Sequence, residues 1–309
     1  MAAPSNTYTT GSVVGIYENL SSMVSNIAPL DTLLLKAIGS YGETVTQTKQ
    51  EWLIDTLRAA ASNAQAEGDD RTATAITPAT RVYNMQQIQS ETFFISETAL
   101  KAGSPAGGVS KEAYQTALHS KALAKDKEFA IWRGIRNDTD NRQMRGALNW
   151  ITTNIDRAAD STLNANGTVT GGTGRNLSGA MLKDLHEDIY NSGGEGDTVF
   201  CGSFQAKKIS EIAGFGNYRQ MVEKGKVNDY VDLYQTEFGV LKVRIHRNFP
   251  TDVVAIMDLS QWKKAVYRPD KKERLGKSGD NVKFDITTEW SVISLQEAAS
   301  GRITNLNAA

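Results

Sequence analysis

The first apolar spacing along the chain is Ile16-Tyr-Glu-Asn-Leu-Ser-Ser-Met-Val-Ser-Asn-Ile, with apolar residues at 16, 20, 23, 24 and 27. That rhythm predicts a short amphipathic helix that stops before Pro29. Residues 1–15 ahead of it are small and polar and cannot offset the entropy of ordering themselves, so they read as an arm. From Thr44 the texture changes. TVTQTKQEWLIDTL and TRVYNMQQIQSETFFIS are both rich in Thr, Val and aromatic residues with patchy alternation, and both read as strands. Between them AAASNAQAEGDDRTATAITPA has no core-forming pattern, which makes 44–96 a long hairpin with a polar tip. Two strands alone are marginal in water, so such a hairpin needs something to lie on, either its own domain or a neighbour.

Ser110 offers an N-cap with Glu112 in the first turn, and Lys111 to Ile135 meets no Pro and no Gly until Gly134. This predicts the longest helix of the chain. Tyr114, Leu118, Ala122, Phe129 and Trp132 form an intermittent apolar stripe. Lys121, Lys125, Lys127 and Arg133 lie elsewhere on the helix and are interrupted by Asp126 and Glu128, the signature of a solvated face. The Gly/Thr/Asn-rich stretch Ser161–Arg175 reads as an exposed loop or linker. Ser178 then caps a helix with Met181, Leu182, Leu185 and Ile189, closed by Gly193-Gly194. Thr198-Val-Phe-Cys is a buried strand and Gln205–Ala213 a second helix, which together make an α/β module. Alternation in 238–247 and 282–293, with the buried run Val253-Val-Ala-Ile-Met, makes the carboxy-terminal third mostly sheet.

Composition narrows the partners. The 309 residues, 40% of them apolar, suffice for one large or two ordinary domains. With 34 basic and 35 acidic residues the net charge is −1, so any nucleic-acid contact must be local or weak. The lone Cys201 permits no internal disulfide or thiolate metal cluster, and His119, His186 and His246 lie far apart. The amino terminus has neither the basic region nor the apolar core of a signal segment. No run approaches the length of a membrane span, so no membrane partner is expected.

Few residues invite chemistry. Gly276-Lys277-Ser278 resembles the end of a phosphate-binding loop, but the glycine needed five positions earlier is Lys271, and the exit at Asp280-Asn-Val-Lys-Phe alternates like a strand. A polar turn between strands fits better than a nucleotide-binding enzyme built on Lys277. His186-Glu187-Asp188 has no second histidine at helical spacing and reads as an exposed helix face. Cys201 reads as core, and the dipeptides Glu51-Trp52 and Glu289-Trp290 as paired strand surface. No nucleophile elbow, zinc motif or dinucleotide fingerprint is present, and neither a catalytic residue, a metal nor a cofactor is expected.

The order of elements, carried by Glu51-Trp-Leu-Ile-Asp-Thr-Leu, Arg81-Val-Tyr-Asn-Met-Gln-Gln-Ile, Phe94-Ile-Ser-Glu-Thr-Ala, Phe238-Gly-Val-Leu-Lys-Val, Leu275-Gly-Lys-Ser-Gly-Asp and Glu289 through Arg302-Ile, resembles the major capsid protein of tailed bacteriophages. The resemblance implies the α+β Hong Kong 97-type fold. It divides the chain into an arm (1–43), an extended hairpin loop (44–96), a peripheral domain with a spine helix (97–149, helix 111–135), an axial domain (150–262) and terminal peripheral strands (263–309). It further implies a virion shell assembled in the host cytoplasm from pentamers and hexamers around weakly held double-stranded DNA, with portal, decoration and separate scaffold proteins as partners. An encapsulin-like compartment shell is the alternative within the fold. Trp52, Leu53, Phe93 and Phe94, near the root of the hairpin, are the expected assembly contacts. No cross-link residues can be matched.

Overall fold

The computed structural model describes residues 32–42, 45–65, 67–68, 70, 75–76, 78–102, 110–214, 221–223, 226–227 and 233–308. The arm expected at 1–15 and the helix at 16–27 lie outside these residues. The described chain opens with a short helix α1 (Leu33–Ala37) and strand β1 (Gly39–Ser40). It continues through β2 (Lys49–Ile54), β3 (Thr80–Met85) and β4 (Gln87–Ser96), then helices α2 (Glu97–Lys101), α3 (Lys111–Arg133) and α4 (Ala147–Trp150). Strands β5 (Asn154–Asp156), β6 (Ser161–Leu163) and β7 (Val169–Gly171) precede helix α5 (Gly179–Asn191), strand β8 (Thr198–Cys201) and helix α6 (Ser203–Gly214). The remainder is strand: β9 (Met221–Glu223), β10 (Lys226–Val227), β11 (Leu233–Thr236), β12 (Gly239–Ile245), β13 (Val254–Met257), β14 (Trp262–Leu275), β15 (Asn281–Ser294) and β16 (Gly301–Ile303).

The spine helix α3 starts where the sequence predicts, the Ser110 hydroxyl accepting the Ala113 N–H at 3.1 Å, and runs ~35 Å at 1.5 Å per residue to Gly134. Its faces are not those expected. Lys127 and Glu128 are buried and Phe129 is exposed, because the carboxy-terminal turns are enclosed on several sides and the lone apolar stripe no longer decides what is inside.

Two sheets organise the rest. A four-stranded sheet runs β1-β14-β15-β4, in which β14 and β15 form a hairpin of 14 residues per strand and β4 pairs along β15 from Gln87↔Trp290 to Ser96↔Asn281. A six-stranded sheet runs β11-β12-β8-β13-β16-β5. Period-2 alternation lets its strands serve two cores. Val199, Cys201, Val254 and Ile256 face α5 and α6 with Leu182, Leu185 and Ile209, whereas Phe200, Ala255 and Met257 face Trp132, Trp262 and Val292.

Several boundaries differ from the sequence reading. Only 49–54 and 80–85 pair in the hairpin, and from Gln87 the chain leaves it for the four-stranded sheet. Residues 32–41, assigned to the arm, pack against the body, β1 pairing in parallel with β14. The carboxy-terminal β16 belongs to the six-stranded sheet, between β13 and β5. The segment 161–175 is a small β6–β7 hairpin pinned to the body, Asn305 Nδ2 donating to the Gly171 carbonyl at 2.7 Å.

Candidate assembly surface

The β2–β3 hairpin is firmly rooted and then unsupported. At its root Trp52 is buried with its ring 5.5 Å from that of Trp150. Tyr83 has the Lys49 Nζ and Arg136 Cζ at 4.0 and 4.3 Å from its ring centre, and its hydroxyl donates to Asp138 Oδ2 at 2.8 Å. Asn84 uses its whole amide: Nδ2 donates to the carbonyls of Arg145 and Val292, and Oδ1 accepts the N–H groups of Met85 and Arg145, at 2.7–3.1 Å. Beyond Ile54 the described loop residues make no strand and are exposed, and Leu57 and Ile76 are 99% and 94% accessible.

The four expected contact residues divide in two. Trp52 and Phe93 are buried within the chain, where the expectation placed them at an assembly contact. Phe93 lies not on the hairpin but on β4, between the His119 ring at 4.6 Å and the Phe284 ring at 5.3 Å. Leu53 and Phe94, next to them in sequence, point the opposite way and are 67% and 60% exposed, as alternation along a strand requires. Trp52 and Phe93 position the elements, while Leu53 and Phe94 present surface.

A buried junction ties the amino-terminal segment to this frame. Glu128 on α3 is fully buried; its Oε1 and Oε2 accept the N–H groups of Leu34 and Leu35 at the start of α1, at 2.8 and 2.9 Å. Trp132 Nε1 donates to Oε1 at 3.0 Å, and His246 Nε2, just past β12, lies 3.5 Å from the same oxygen. Burial pushes this carboxyl above its ordinary range against the opposing pull of the Leu35 and Leu34 amides. Sequence reasoning treated Glu128 as a break in a charged face, and a lone acid in a helix gives no signal that it is enclosed.

The groups singled out for chemistry are structural. Lys277 sits in the five-residue turn of the β14–β15 hairpin, paired with Glu97, and Gly279 supplies the positive φ of that turn. Cys201 is buried, which pushes its thiol up to about 12, out of the nucleophilic range. His186 corrects the exposed-face reading: it is buried, held by the Thr236 hydroxyl at 2.7 Å, and burial keeps its imidazole below the ordinary value. Glu289 and Trp290 are likewise buried rather than surface, the carboxylate clasped by Arg142 and Arg268 at 2.7 and 2.8 Å. Among the described residues no cluster of three metal-ligating side chains occurs, and no helix is long and apolar enough to cross a membrane.

A spine helix, two sheets sharing a core and a projecting hairpin, with rooted aromatics and outward apolar side chains, belong to the Hong Kong 97-type phage capsid class. The chain belongs to the SU10 major capsid protein family, whose model matches residues 3–307. Similar solved structures share the fold at low identity. The capsid of cyanophage A-1(L) has a TM-score of 0.68 at 10% identity over 96% of this chain and 98% of that one. The capsid of a native GTA particle has 0.66 at 14% over 96% and 98%. The capsid of the Myoviridae phage XM1 has 0.59 at 15% over 94% and 97%. No curated protein matches the chain.

Proposed function

We propose that this major capsid protein closes an icosahedral head as pentamers and hexamers around double-stranded DNA, each subunit laying its β2–β3 hairpin across the next. The observation that carries this reading is the near-complete exposure of Leu57 and Ile76 on a loop whose root is fixed by Trp52 and Trp150. Two strands cannot keep such side chains in water at a profit, and the same contact repeated around a ring stabilises the shell far more than the subunit. On this reading α3 with the four-stranded sheet is the peripheral domain, and α5, α6 and the six-stranded sheet are the axial domain. The near-neutral chain holds DNA loosely, because it has little counterion release to gain. The role is structural rather than enzymatic, and portal and scaffold proteins act at assembly.

Negative-stain imaging of the expressed protein, wild type against a Leu57→Ser, Ile76→Ser double variant, tests the proposal. Closed shells from the wild type and soluble, folded but open or unassembled subunits from the variant are expected. Normal shells from the variant would remove the hairpin from the assembly contact.

A further inference from the structure

Near the carboxy-terminal end of α3 lies a pocket of about 220 Å³. Its walls include Trp132, Leu148, Val169 and Val253, with Asn149, Thr304 and the guanidinium-bearing Arg302 among the polar lining. Arg302, on β16, is 3% exposed. Its Nη2 donates to the carbonyl of Gly167, but its Nε has no hydrogen-bond partner among the described residues, and no carboxylate there comes within ion-pair distance of it. The nearest charges deepen the problem. Arg145 repels it, while Glu297, the acid whose field it feels, spends its oxygens on Thr152 and Thr153. Burial and Arg145 bring its pKa down to about 10, still far enough above neutrality to keep the group charged. A buried cation without a counter-charge destabilises a folded protein, and the usual remedy is a paired anion.

The β6–β7 turn beside the pocket is built to stay close to Arg302. Gly167 has φ +85° and no room for a side chain, a Cβ there falling 1.8 Å from the Asn149 carbonyl oxygen. The β6–β7 turn is thereby clamped between Asn149 and Arg302. The rim carries one charge of each sign, the exposed Arg133 and Asp252, so the interior guanidinium sets the preference of the pocket.

We propose that this pocket is an anion site that takes a small tetrahedral oxyanion of the inorganic phosphate class, with Arg302 as its charged ligand. The volume accommodates such an ion with some of its water. The depth of the guanidinium keeps the backbone of a duplex away from it, so the source is a free ion rather than packaged DNA. An occupied site would fasten β16, the β6–β7 hairpin and the end of the spine helix to one another.

The test is thermal unfolding of the full-length protein in sodium phosphate against sodium chloride at matched ionic strength, with phosphorus NMR linewidths of the added phosphate as a second readout. For wild type a midpoint that rises and saturates, with half-saturation on the order of millimolar, is expected, since ligand binding to the native state stabilises with concentration in this way. General salting effects grow without saturation. Arg302→Met should lose both the saturable rise and the line broadening. Val169→Glu, which tethers a carboxylate in the wall and leaves Arg302 in place, should lose them too, and it decides the matter if the methionine variant fails to fold. Equal phosphate responses in wild type and variants, or no saturable response in wild type because water or a carboxylate of a second copy already satisfies Arg302, would overturn the assignment.

Discussion

The chain contains two long excursions of paired strands, and they are built on opposite principles. The β14–β15 hairpin gives its inner strand to the fold: Val282, Phe284 and Ile286 alternate inward against Phe93, Ile95 and Leu123, and β4 covers the far edge. Its outer strand carries Arg268-Pro-Asp-Lys-Lys-Glu-Arg274, exposed and charged, a composition that discourages edge-to-edge pairing. The β2–β3 hairpin has the reverse arrangement. It is anchored at one end by Trp52, Tyr83 and Asn84 and sends bare apolar side chains outward on a small polar loop. The first excursion is complete within the subunit; in the proposed assembly a neighbour completes the second.

Deletion separates the two most sharply. Removing residues 60–78 and closing the loop with a short turn leaves every buried cluster intact, so the subunit should stay soluble with near-normal circular dichroism while closed particles disappear. Removing residues 271–284 from the other hairpin takes away Val282 and Phe284 and uncovers Leu123 and Phe93, so the product should be insoluble. Heat-resistant shells of normal size from the first deletion, or a folded subunit from the second, would erase the distinction.

A point substitution repeats the comparison at smaller scale. Phe284→Ala should lower subunit stability by about 3–5 kcal/mol, the range for emptying an aromatic position in a core. Leu57→Ala, at a residue already in water, should stay within about 0.5 kcal/mol in the subunit. Denaturant melts of unassembled protein measure both. Similar losses in the two would mean that the loop folds back on its own subunit.

Much of this division was legible in the residues. The spine helix was readable from Ser110, from its uninterrupted run and from Gly134, and the β14–β15 turn from the missing glycine at Lys271 and the strand-like exit. Such signals are local, set by caps and turns. What was not legible depends on which surface meets which. Phe93 and Phe94 are identical in composition, and the side that faces inward is settled by the pairing of β4 with β15, a register no local pattern prints. His186 and Glu289 became core because a strand partner or two arginines arrived from elsewhere in the chain. Asn84 left a trace: an asparagine inside Val-Tyr-Asn-Met is out of place in a strand, and the reason is an amide that replaces four backbone partners. In the carboxy-terminal residues, β16 is too short to show its allegiance by alternation, and only its pairing places it in the second sheet.

The smallest effect lies at the turn of the complete hairpin. Lys277 pairs with Glu97 at the start of α2, and that hydrogen bond and charge hold the Glu97 carboxyl below its ordinary range. A carboxyl with a depressed folded pKa adds stability that is present above its unfolded pKa and is lost as pH falls through the folded value. Both groups stand in water, where such pairs contribute little, so Lys277→Ala should leave the unfolding midpoint at neutral pH unchanged within error and should leave particle assembly intact. A carbon-detected NMR titration of Glu97 would show what does change: its pKa should move up toward the ordinary carboxylate range in the variant, because the partner that holds it down is gone. The same preparation should show no ATP hydrolysis in either form, because the turn follows an exposed, charged stretch of strand in place of a buried one and lacks the glycine that would aim its amides at phosphate. Hydrolysis by the wild type that vanishes on this substitution would turn the most self-contained part of the subunit into a reactive one, and the contrast between the two hairpins would have to be redrawn around it.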